Sequence, residues 1–466
     1  MLVKLDSFAG FFLSFAAFCL MGTKAIGAET LYQTTTQAVL GQSEAWSDES
    51  TLAVAGKHYA LEKLSDGSKA KLCMPTDVET YTFAGESLTI GTGCSFVFTT
   101  ESKDNIAFIC KKMCLQEGAS VAGNSAKCSF TLGASGVTSE LNLSGAVEIR
   151  AGTGKNVRIY SDITGDGVLK LCGWKNGTAP YGTYYLRGNN YNFLGRIDTS
   201  RINTTGMSFD SGFSVLDIVG RKNLGGTLPA LDPKAIVLAD YVNFITGNNE
   251  SIKLEKASNR GVAVITGAKI SNAKDFEIET KLALCGELRK YNAGKLILSG
   301  QATGFGPDGT WEKPESQNGY INNVLKIYEG GLVIGSTDAI RSVSVGLAAR
   351  TTFELRPDFG NEEFLRYGIR NNTMAEPFKL GSGLTSLPFS IAAAKGKPKS
   401  GVPFRMGLFT VSTKCKQIDL IRQSVAGIQY PIRGFEGKLV ENVDEVSGEV
   451  TFAIDYKPKG IHIVVR

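Results

Sequence analysis

The chain has 466 residues, of which 50 are basic, 45 are acidic and two are histidine. This near balance, with no dense basic stripe interleaved with aromatic residues, argues against nucleic acid as a partner. Glycine is abundant at 54 residues, proline is modest at 13, and neither forms a long linker, a composition that indicates an all-β chain with many tight turns.

The first 28 residues have the order of a secretory signal. Lys4 stands in a short polar start, an apolar stretch runs from Phe8 to Met21, and small residues follow up to Ala28. The apolar stretch is shorter than the roughly 20 residues that span a bilayer, which favours a cleaved signal peptide over a retained anchor. We therefore predict a signal peptide at residues 1–28, no transmembrane segment after its removal, and a secreted, extracellular or cell-surface protein, with the periplasm as an alternative.

Five cysteines cluster in the next part of the chain: Cys73, Cys94, Cys110, Cys114 and Cys128. Signal cleavage leaves eight cysteines, an even number that permits a disulfide framework in an exported chain. The CKKMC spacing at 110–114 also suits a metal, but no histidine lies nearby to complete a mixed zinc site. We predict a local disulfide network among the five, and no metal or cofactor site. Cys172 and Cys285 stand in strand-like runs, where we expect small buried residues.

Short strands bracketed by glycine then follow one another along most of the chain. Examples are SLTIG at 87–91, VEIR at 147–150 and KLILSG at 295–300. Strands of four to six residues that return in the same order predict a solenoid, in which each rung buries its apolar face against its neighbours. Within KLILSG, Leu296 and Leu298 share one face and Ile297 takes the other, so this strand should be covered on both faces.

This pattern divides the chain into four segments. Residues 29–80 are predicted as an N-terminal cap or leader, 81–433 as the rungs of a right-handed parallel β-helix, and 434–466 as C-terminal closing strands that include EVTFAIDY and GIHIVVR. An open solenoid end exposes unpaired backbone groups, which is why covering segments are expected. Helical periodicity is scarce, with short turns of helix at Glu362–Tyr367 and Lys416–Gln423. An array of immunoglobulin-like sandwiches would be the alternative if the strands were antiparallel.

The repeated text resembles a known family. GKLILSGQATGFG, followed at a distance by LKIYEGGLVIGS, resembles the autotransporter-associated β-strand repeat, and YYLRGNNYNFLG resembles its variant in large secreted protein families of Verrucomicrobia and Lentisphaerae type bacteria. The motif positions of that variant are filled here by Leu186, Gly188, Asn189, Asn190, Phe193 and Gly195. The resemblance covers about 100 residues and implies a right-handed parallel β-helix of the passenger type, displayed outside the cell. The chain lacks the amphipathic strand series of a C-terminal membrane barrel, which argues against self-translocation.

Catalytic signatures are weak throughout the sequence. His58 and His462 stand near opposite ends, without a nucleophile motif beside either. The pairs Asp162/Asp166 and Asp232/Asp240 flank turns, where aspartate is usually a solvated turn former. DITGDG at 162–167 suits calcium only in part, because the remaining ligands of a calcium loop are missing. We predict no catalytic residue.

Aromatic residues give one binding hint. Trp174, Tyr181, Tyr184 and Tyr185 are dense around one loop, and exposed rings of this kind stack on sugar faces, so we predict them as glycan contacts. The leading functional hypothesis is a secreted or surface-displayed β-helix with a structural or adhesive role. The alternative is a carbohydrate-active enzyme, a polysaccharide lyase or glycoside hydrolase, that carries acidic and basic side chains on adjacent rungs of the same scaffold.

Overall fold

The structure, a computed structural model, describes residues 29–99, 105–123, 128–152, 154–173, 182–200, 214–246, 250–303 and 323–459. The strands of the N-terminal half are β1 (Thr30–Tyr32), β2 (Gln37–Val39), β3 (His58–Leu61), β4 (Lys71–Cys73), β5 (Thr80–Thr82), β6 (Ser87–Ile90), β7 (Ser95–Phe98), β8 (Ile106–Ile109), β9 (Lys112–Leu115), β10 (Ser120–Gly123), β11 (Phe130–Leu132), β12 (Glu140–Leu143), β13 (Ala146–Ala151), β14 (Asn156–Ile159), β15 (Asp162–Gly165), β16 (Val168–Gly173), β17 (Thr183–Leu186), β18 (Arg196–Asp198) and β19 (Val215–Ile218).

The strands of the C-terminal half are β20 (Asp232–Leu238), β21 (Val242–Thr246), β22 (Ile252–Leu254), β23 (Arg260–Val264), β24 (Gly267–Asn272), β25 (Phe276–Ile278), β26 (Lys281–Leu284), β27 (Glu287–Tyr291), β28 (Lys295–Leu298), β29 (Gln301–Thr303), β30 (Val324–Ile327), β31 (Gly331–Ile334), β32 (Ser344–Leu347), β33 (Thr352–Leu355), β34 (Ile369–Asn371), β35 (Phe378–Leu380), β36 (Phe389–Ile391), β37 (Phe404–Ser412), β38 (Phe435–Asp444) and β39 (Glu449–Pro458). The α-helices are α1 (Glu362–Tyr367) and α2 (Ile418–Ala426), and short 3₁₀ turns cover Arg221–Leu224 and Lys256–Ser258.

Four long parallel sheets, here called walls, contain most of these strands. Wall 1 has the order β1-β3-β6-β9-β12-β15, and wall 2 runs β2-β4-β7-β10-β13-β16-β18-β20-β23-β26-β29. Wall 3 runs β5-β8-β11-β14-β17-β19-β21-β24-β27-β30-β32-β35, and wall 4 runs β22-β25-β28-β31-β33-β36. Most coils visit walls 1, 2 and 3 in turn, and from β22 onward wall 4 takes the place of wall 1 between walls 3 and 2. A few coils, such as the one that leads from β17 to β18, have no described strand in one of the walls. The all-β, parallel character that the repeats predict is confirmed, and the antiparallel sandwich alternative is wrong for these walls.

The interior is built from columns of apolar side chains that repeat from coil to coil. Successive residues of a strand point to opposite faces, so strands such as β12 and β14 alternate half-exposed and buried positions. On wall 2 the register aligns Leu72, Phe96, Val121, Ile149 and Leu171, all of which are buried. Each coil therefore buries its apolar face against the next one, as the solenoid reading requires.

Glycines of the repeated text stand where one coil approaches the backbone of the next. A side chain at Gly195 would place its Cβ 1.7 Å from the carbonyl oxygen of Gly167, and one at Gly300 would place it 1.6 Å from that of Thr280. No larger residue fits at either position without moving backbone. Close packing of consecutive coils thus explains why glycine recurs in both copies of the repeat.

Parallel pairing extends beyond the predicted rung segment at its N-terminal side. Strands β1 to β4 lie within residues 29–80, yet β1 pairs with β3 and β3 with β6 in the same register as later coils. The boundary at residue 80 therefore does not coincide with a break in the walls. The described parallel walls end at β35 and β36, before residue 433.

A mixed four-stranded sheet of order β34-β37-β39-β38 follows the walls. Strand β39 contains EVTFAIDY and runs antiparallel to both β37 and β38. The predicted second closing strand, GIHIVVR, lies outside the described residues. Helix α1 matches the predicted Glu362–Tyr367 turn: the Asn361 side chain accepts a hydrogen bond from the Phe364 amide (3.1 Å), which caps the helix N-terminus. The second predicted helix is confirmed with shifted ends, as α2.

Buried polar side chains form hydrogen bonds to the backbone in the region between the last strand of wall 1, β15, and the first strand of wall 4, β22. The Asn190 amide oxygen accepts a hydrogen bond from the Ile163 amide (2.9 Å), and its nitrogen donates to the carbonyl of Asn223 (2.9 Å). The Asn223 nitrogen in turn donates to the carbonyl of Gly188 (2.8 Å), and both asparagines are fully buried. These amides supply the hydrogen bonds that the missing strand ladder would have made.

Arg260 on β23 performs the same task for three carbonyl groups. Its guanidinium donates to the carbonyls of Gly226 (2.7 Å), Gly195 (2.9 Å) and Phe193 (2.5 Å), and its carbon lies 5.7 Å from the Phe193 ring centre. The side chain is fully buried. Burial, followed by repulsion from the nearby Arg221, lowers the pKa of Arg260 to about 10.

Candidate functional site

The predicted glycan contacts do not form one surface. Trp174 and Tyr181 lie outside the described residues. Tyr184 is only 1% exposed, and its hydroxyl accepts a hydrogen bond from the Ala151 amide (3.0 Å). Because strand alternation turns Tyr184 into the core, the prediction that it contacts a glycan is wrong.

Tyr185 faces outward on wall 3 and is half-buried. The guanidinium carbons of Arg158 and Arg187 lie 5.3 Å and 4.9 Å from its ring centre. Cations over an aromatic face are attracted by its electrons, so the two arginines fix the orientation of the ring. This cluster is the part of the predicted aromatic surface that the described structure retains.

A groove of about 440 Å³, which shares Arg187 with this cluster, lies where wall 3 turns toward wall 1. We call it the Arg187 groove; its lining includes Tyr160, Asp162, Arg187, Asn189 and Lys222, together with residues 134–138. Arg187 donates to the Asp217 carboxylate (2.7 Å), and Asp162 accepts a hydrogen bond from the Asn189 amide (2.6 Å). These contacts hold two of the charged groups in place, so the groove presents ordered polar groups to whatever binds there.

Sequence reasoning missed a second outward surface, farther along wall 3. Register places Lys269 beside Arg289, Arg289 beside Lys326, and Lys326 beside Gly346, which neighbours Lys379. We call Lys269, Arg289, Lys326 and Lys379 the wall 3 ladder. The signal was present in the strings RKY at 289–291 and KIY at 326–328, which put a cation two residues before a tyrosine in neighbouring strands.

The two tyrosines of these strings stack beside the ladder. The rings of Tyr291 and Tyr328 are parallel, with centres 4.9 Å apart, and Tyr328 is 37% exposed. The Lys269 ammonium lies 5.9 Å from the Tyr291 ring centre, and the Arg289 guanidinium carbon lies 5.7 Å from that of Tyr328. Cations and aromatic rings therefore form one continuous strip on the outside of wall 3.

One carboxylate interrupts the positive charge of the ladder. Glu287 forms ion pairs with Lys326 (2.8 Å) and with Arg289 (2.5 Å). Burial alone would raise the pKa of Glu287, but the two cations outweigh burial and lower it. The four ladder cations and Glu287 together carry a net positive charge.

Wall 4 carries carboxylates beside cations, the arrangement that a carbohydrate-active enzyme would need. Glu277 pairs with Arg356 (3.2 Å), Glu279 with Lys253 (2.8 Å) and Glu354 with Lys295 (2.8 Å). Arg356, Lys295 and Glu354 line a groove of about 400 Å³. Burial would raise the pKa of Glu279, but Lys253 and Lys395 lower it overall. A glycosidase general acid needs a raised pKa, so the lowered pKa of Glu279 favours an ion-pair network over a catalytic acid.

Ile297 on β28 is buried on the outer face of wall 4, as the sequence predicted for a strand that is covered on both faces.

The structure does not join the predicted disulfide cluster. Cys73, Cys94 and Cys110 are buried on or beside different strands, their thiols are free, and Cys114 is half-buried on β9. Cys128 is buried, with its sulfur 3.4 Å from the carbonyl oxygen of Ser129. Burial raises the pKa of Cys110 to about 12. These cysteines therefore behave as small apolar residues of the core, as does Cys285, which is buried as predicted.

The remaining candidates for chemistry do not converge. The His58 ring nitrogen lies 2.7 Å from the Ser87 hydroxyl, while His462 lies outside the described residues. Asp232 pairs with Arg196 (2.6 Å), and Asp240 is buried beside the Thr266 hydroxyl (3.3 Å). Within the described ranges, no group of three or more histidine, cysteine or acidic side chains is placed to hold a metal ion. None of the helices in those ranges combines the length and apolarity needed to cross a membrane.

Comparison with known proteins identifies no relative of this chain. No protein-family model matches the chain, and no curated protein or solved structure matches it either. The site is therefore interpreted from its own residues.

Proposed function

We propose that the chain is an exported, right-handed parallel β-helix with covered ends, related to the secreted autotransporter-associated repeat proteins, that serves as a structural or adhesive module and binds glycans without cleaving them. The long parallel walls support this proposal, because a solenoid of stacked coils presents an extended and regular binding surface. Connections between parallel strands of one sheet are almost always right-handed, which supports the handedness.

The observation that carries the adhesive role is the Tyr185 cluster. Tyrosine combines an apolar ring with a polar tip, and Arg158 and Arg187 lie over the Tyr185 ring, so the cluster offers an aromatic side chain together with two guanidinium donors for sugar hydroxyls. The adjacent Arg187 groove adds ordered polar groups that can bind sugar hydroxyls. In contrast, Glu277, Glu279 and Glu354 at wall 4 are already engaged by cations, which supports binding over catalysis.

A substitution of Tyr185 tests this role. Retention of the purified protein on immobilised neutral plant and algal polysaccharides would be compared with that of Y185L, which keeps an apolar cover on the wall. We expect roughly tenfold weaker retention, the loss typical of an aromatic contact residue. The matched control is Y32L, because Tyr32 is 43% exposed on wall 1, far from the cluster in the coil order. Equal retention of Y185L and the wild-type protein would overturn the assignment.

Export has its own test. Intact-mass analysis of the protein recovered from the medium, cell surface or periplasm should show an N-terminus after Gly27 or Ala28. Recovery of the uncleaved chain in the cytoplasm would contradict the exported role while leaving the glycan measurement unaffected.

A further inference from the structure

We propose that the wall 3 ladder is a binding site for an extended acidic polysaccharide, with one carboxylate or sulfate group facing each cation. The proposal extends the proposed function to a second part of the same wall and to a charged ligand, and it rests on the binding role of the solenoid.

The ladder has the periodicity of a linear polymer site. Neighbouring strands in a sheet are about 4.8 Å apart, so Lys269 and Lys379 lie about 19 Å apart along the solenoid axis, with Arg289 and Lys326 between them. An extended polyanion lying along the axis would meet a cation at nearly every step. A compact ligand such as a single phosphate would use only one or two of them.

Gly346 occupies the one step of the ladder that lacks a cation. A Cβ there would lie 3.1 Å from the Lys326 Cγ, so the stem of Lys326 covers this buried glycine. The Lys379 side chain on the next strand is exposed. The Lys326 stem therefore covers the step without a cation, and the ladder resumes at Lys379.

The tyrosines favour a polysaccharide over a nucleic acid. Base stacking requires open aromatic faces, whereas Tyr291 and Tyr328 are stacked on each other and each already contacts a cation. Phenol hydroxyls can still donate to carboxylates and sugar hydroxyls. The ligand class that matches both features is an acidic glycan.

The test compares binding of polygalacturonate, a neutral galactan and a single-stranded oligothymidylate to the purified protein by calorimetry at low and high salt. The variant K269Q/K326Q/K379Q removes three ladder cations and leaves Arg289 to pair with Glu287. The control K414Q/K438Q/K457Q removes the same charge from exposed lysines on and beside the mixed sheet. Circular dichroism and thermal unfolding establish that both variants are folded.

We expect polygalacturonate to bind the wild-type protein and the control variant alike, and to bind the ladder variant at least about tenfold more weakly at low salt, since screening reduces such contacts. High salt should reduce the difference in polygalacturonate affinity between the wild-type protein and the ladder variant. The proposal is overturned if polygalacturonate does not bind, if both triple variants lose affinity equally, or if the oligothymidylate binds as tightly. A Y185L variant that loses neutral glycans but keeps polygalacturonate, or the reverse in the ladder variant, separates failure at one site from failure at the other.

Discussion

Arg260 is a charged residue whose role is internal. It is fully buried, and three carbonyl oxygens accept its hydrogen bonds where wall 1 gives way to wall 4. Gly225 faces it with φ +96°, and a Cβ at that glycine would lie 2.5 Å from the Arg260 guanidinium carbon. The guanidinium therefore fills a space that the backbone leaves open, and it satisfies acceptors that would otherwise be buried without donors.

Replacement of Arg260 by methionine should destabilise the protein by about 3 kcal/mol, because three buried acceptors lose their donors. The matched control is R196Q, since Arg196 is half-exposed in its ion pair with Asp232 and such pairs contribute about 0–1 kcal/mol. Urea unfolding measures both free energies of unfolding. A loss no larger in R260M than in R196Q would contradict the internal role.

The thiol groups give a second prediction at the residue scale. Burial raises the pKa of both Cys110 and Cys285 to about 12, so neither should form the reactive thiolate near neutral pH. We expect both to resist iodoacetamide at pH 8 in the native protein and to react in urea without a reductant, as followed by peptide mass spectrometry. If Cys110 needed a reductant before it reacted in urea, the predicted disulfide network would be right and the free-thiol arrangement wrong; the same result at Cys285 would contradict its free thiol alone.

At the scale of elements, wall 3 and wall 4 each carry ion pairs that have a predictable pH dependence. Glu279, which directly follows β25 of wall 4, and Glu287 on β27 of wall 3 both have pKa values that neighbouring cations lower in the folded state. The unfolded chain therefore binds more protons as the pH falls below about 4.5, so these groups stabilise the fold above that pH and lose their contribution below it.

The variant E279Q/E287Q tests this sign. Thermal unfolding between pH 7 and pH 3 should show a steep loss of stability in the wild-type protein and a shallower one in the variant. An identical pH profile for both proteins would show that the two carboxylates do not contribute through their ionised forms.

Some of the secondary-structure elements could be predicted from the sequence and others could not. Period-two strands, glycine corners and the two short helices were predictable, because each depends on local residue patterns. The start of pairing at β1 and the partner of β39 were not, since pairing depends on contacts between distant segments. Tyr184 and Tyr185 are adjacent in sequence, and only the register of β17 decides which one faces solvent. The wall 3 ladder was missed for the same reason: its successive cations are 20 to 53 residues apart in the chain and are brought together only through strand pairing.

In the whole molecule, the stacking of coils determines how the core grows and where the outward side chains lie. Each coil contacts mainly its neighbours, so the chain extends its walls without enlarging its core, and outward side chains fall into rows along the axis. Rows of this kind create the Tyr185 cluster in one half and the wall 3 ladder in the other. A surface with regular spacing is suited to polymers, which is the physical basis for assigning a binding role to the walls.

The central claim is that these walls bind glycans without cleaving them. The most direct measurement exposes the purified protein to a panel of neutral and acidic polysaccharides and follows retention, new reducing ends and unsaturated uronate absorbance in the same samples. The account predicts retention on at least one polysaccharide with no new reducing ends and no uronate absorbance. Cleavage of any member of the panel would contradict it and favour a carbohydrate-active enzyme, and the absence of both retention and cleavage would contradict the binding role.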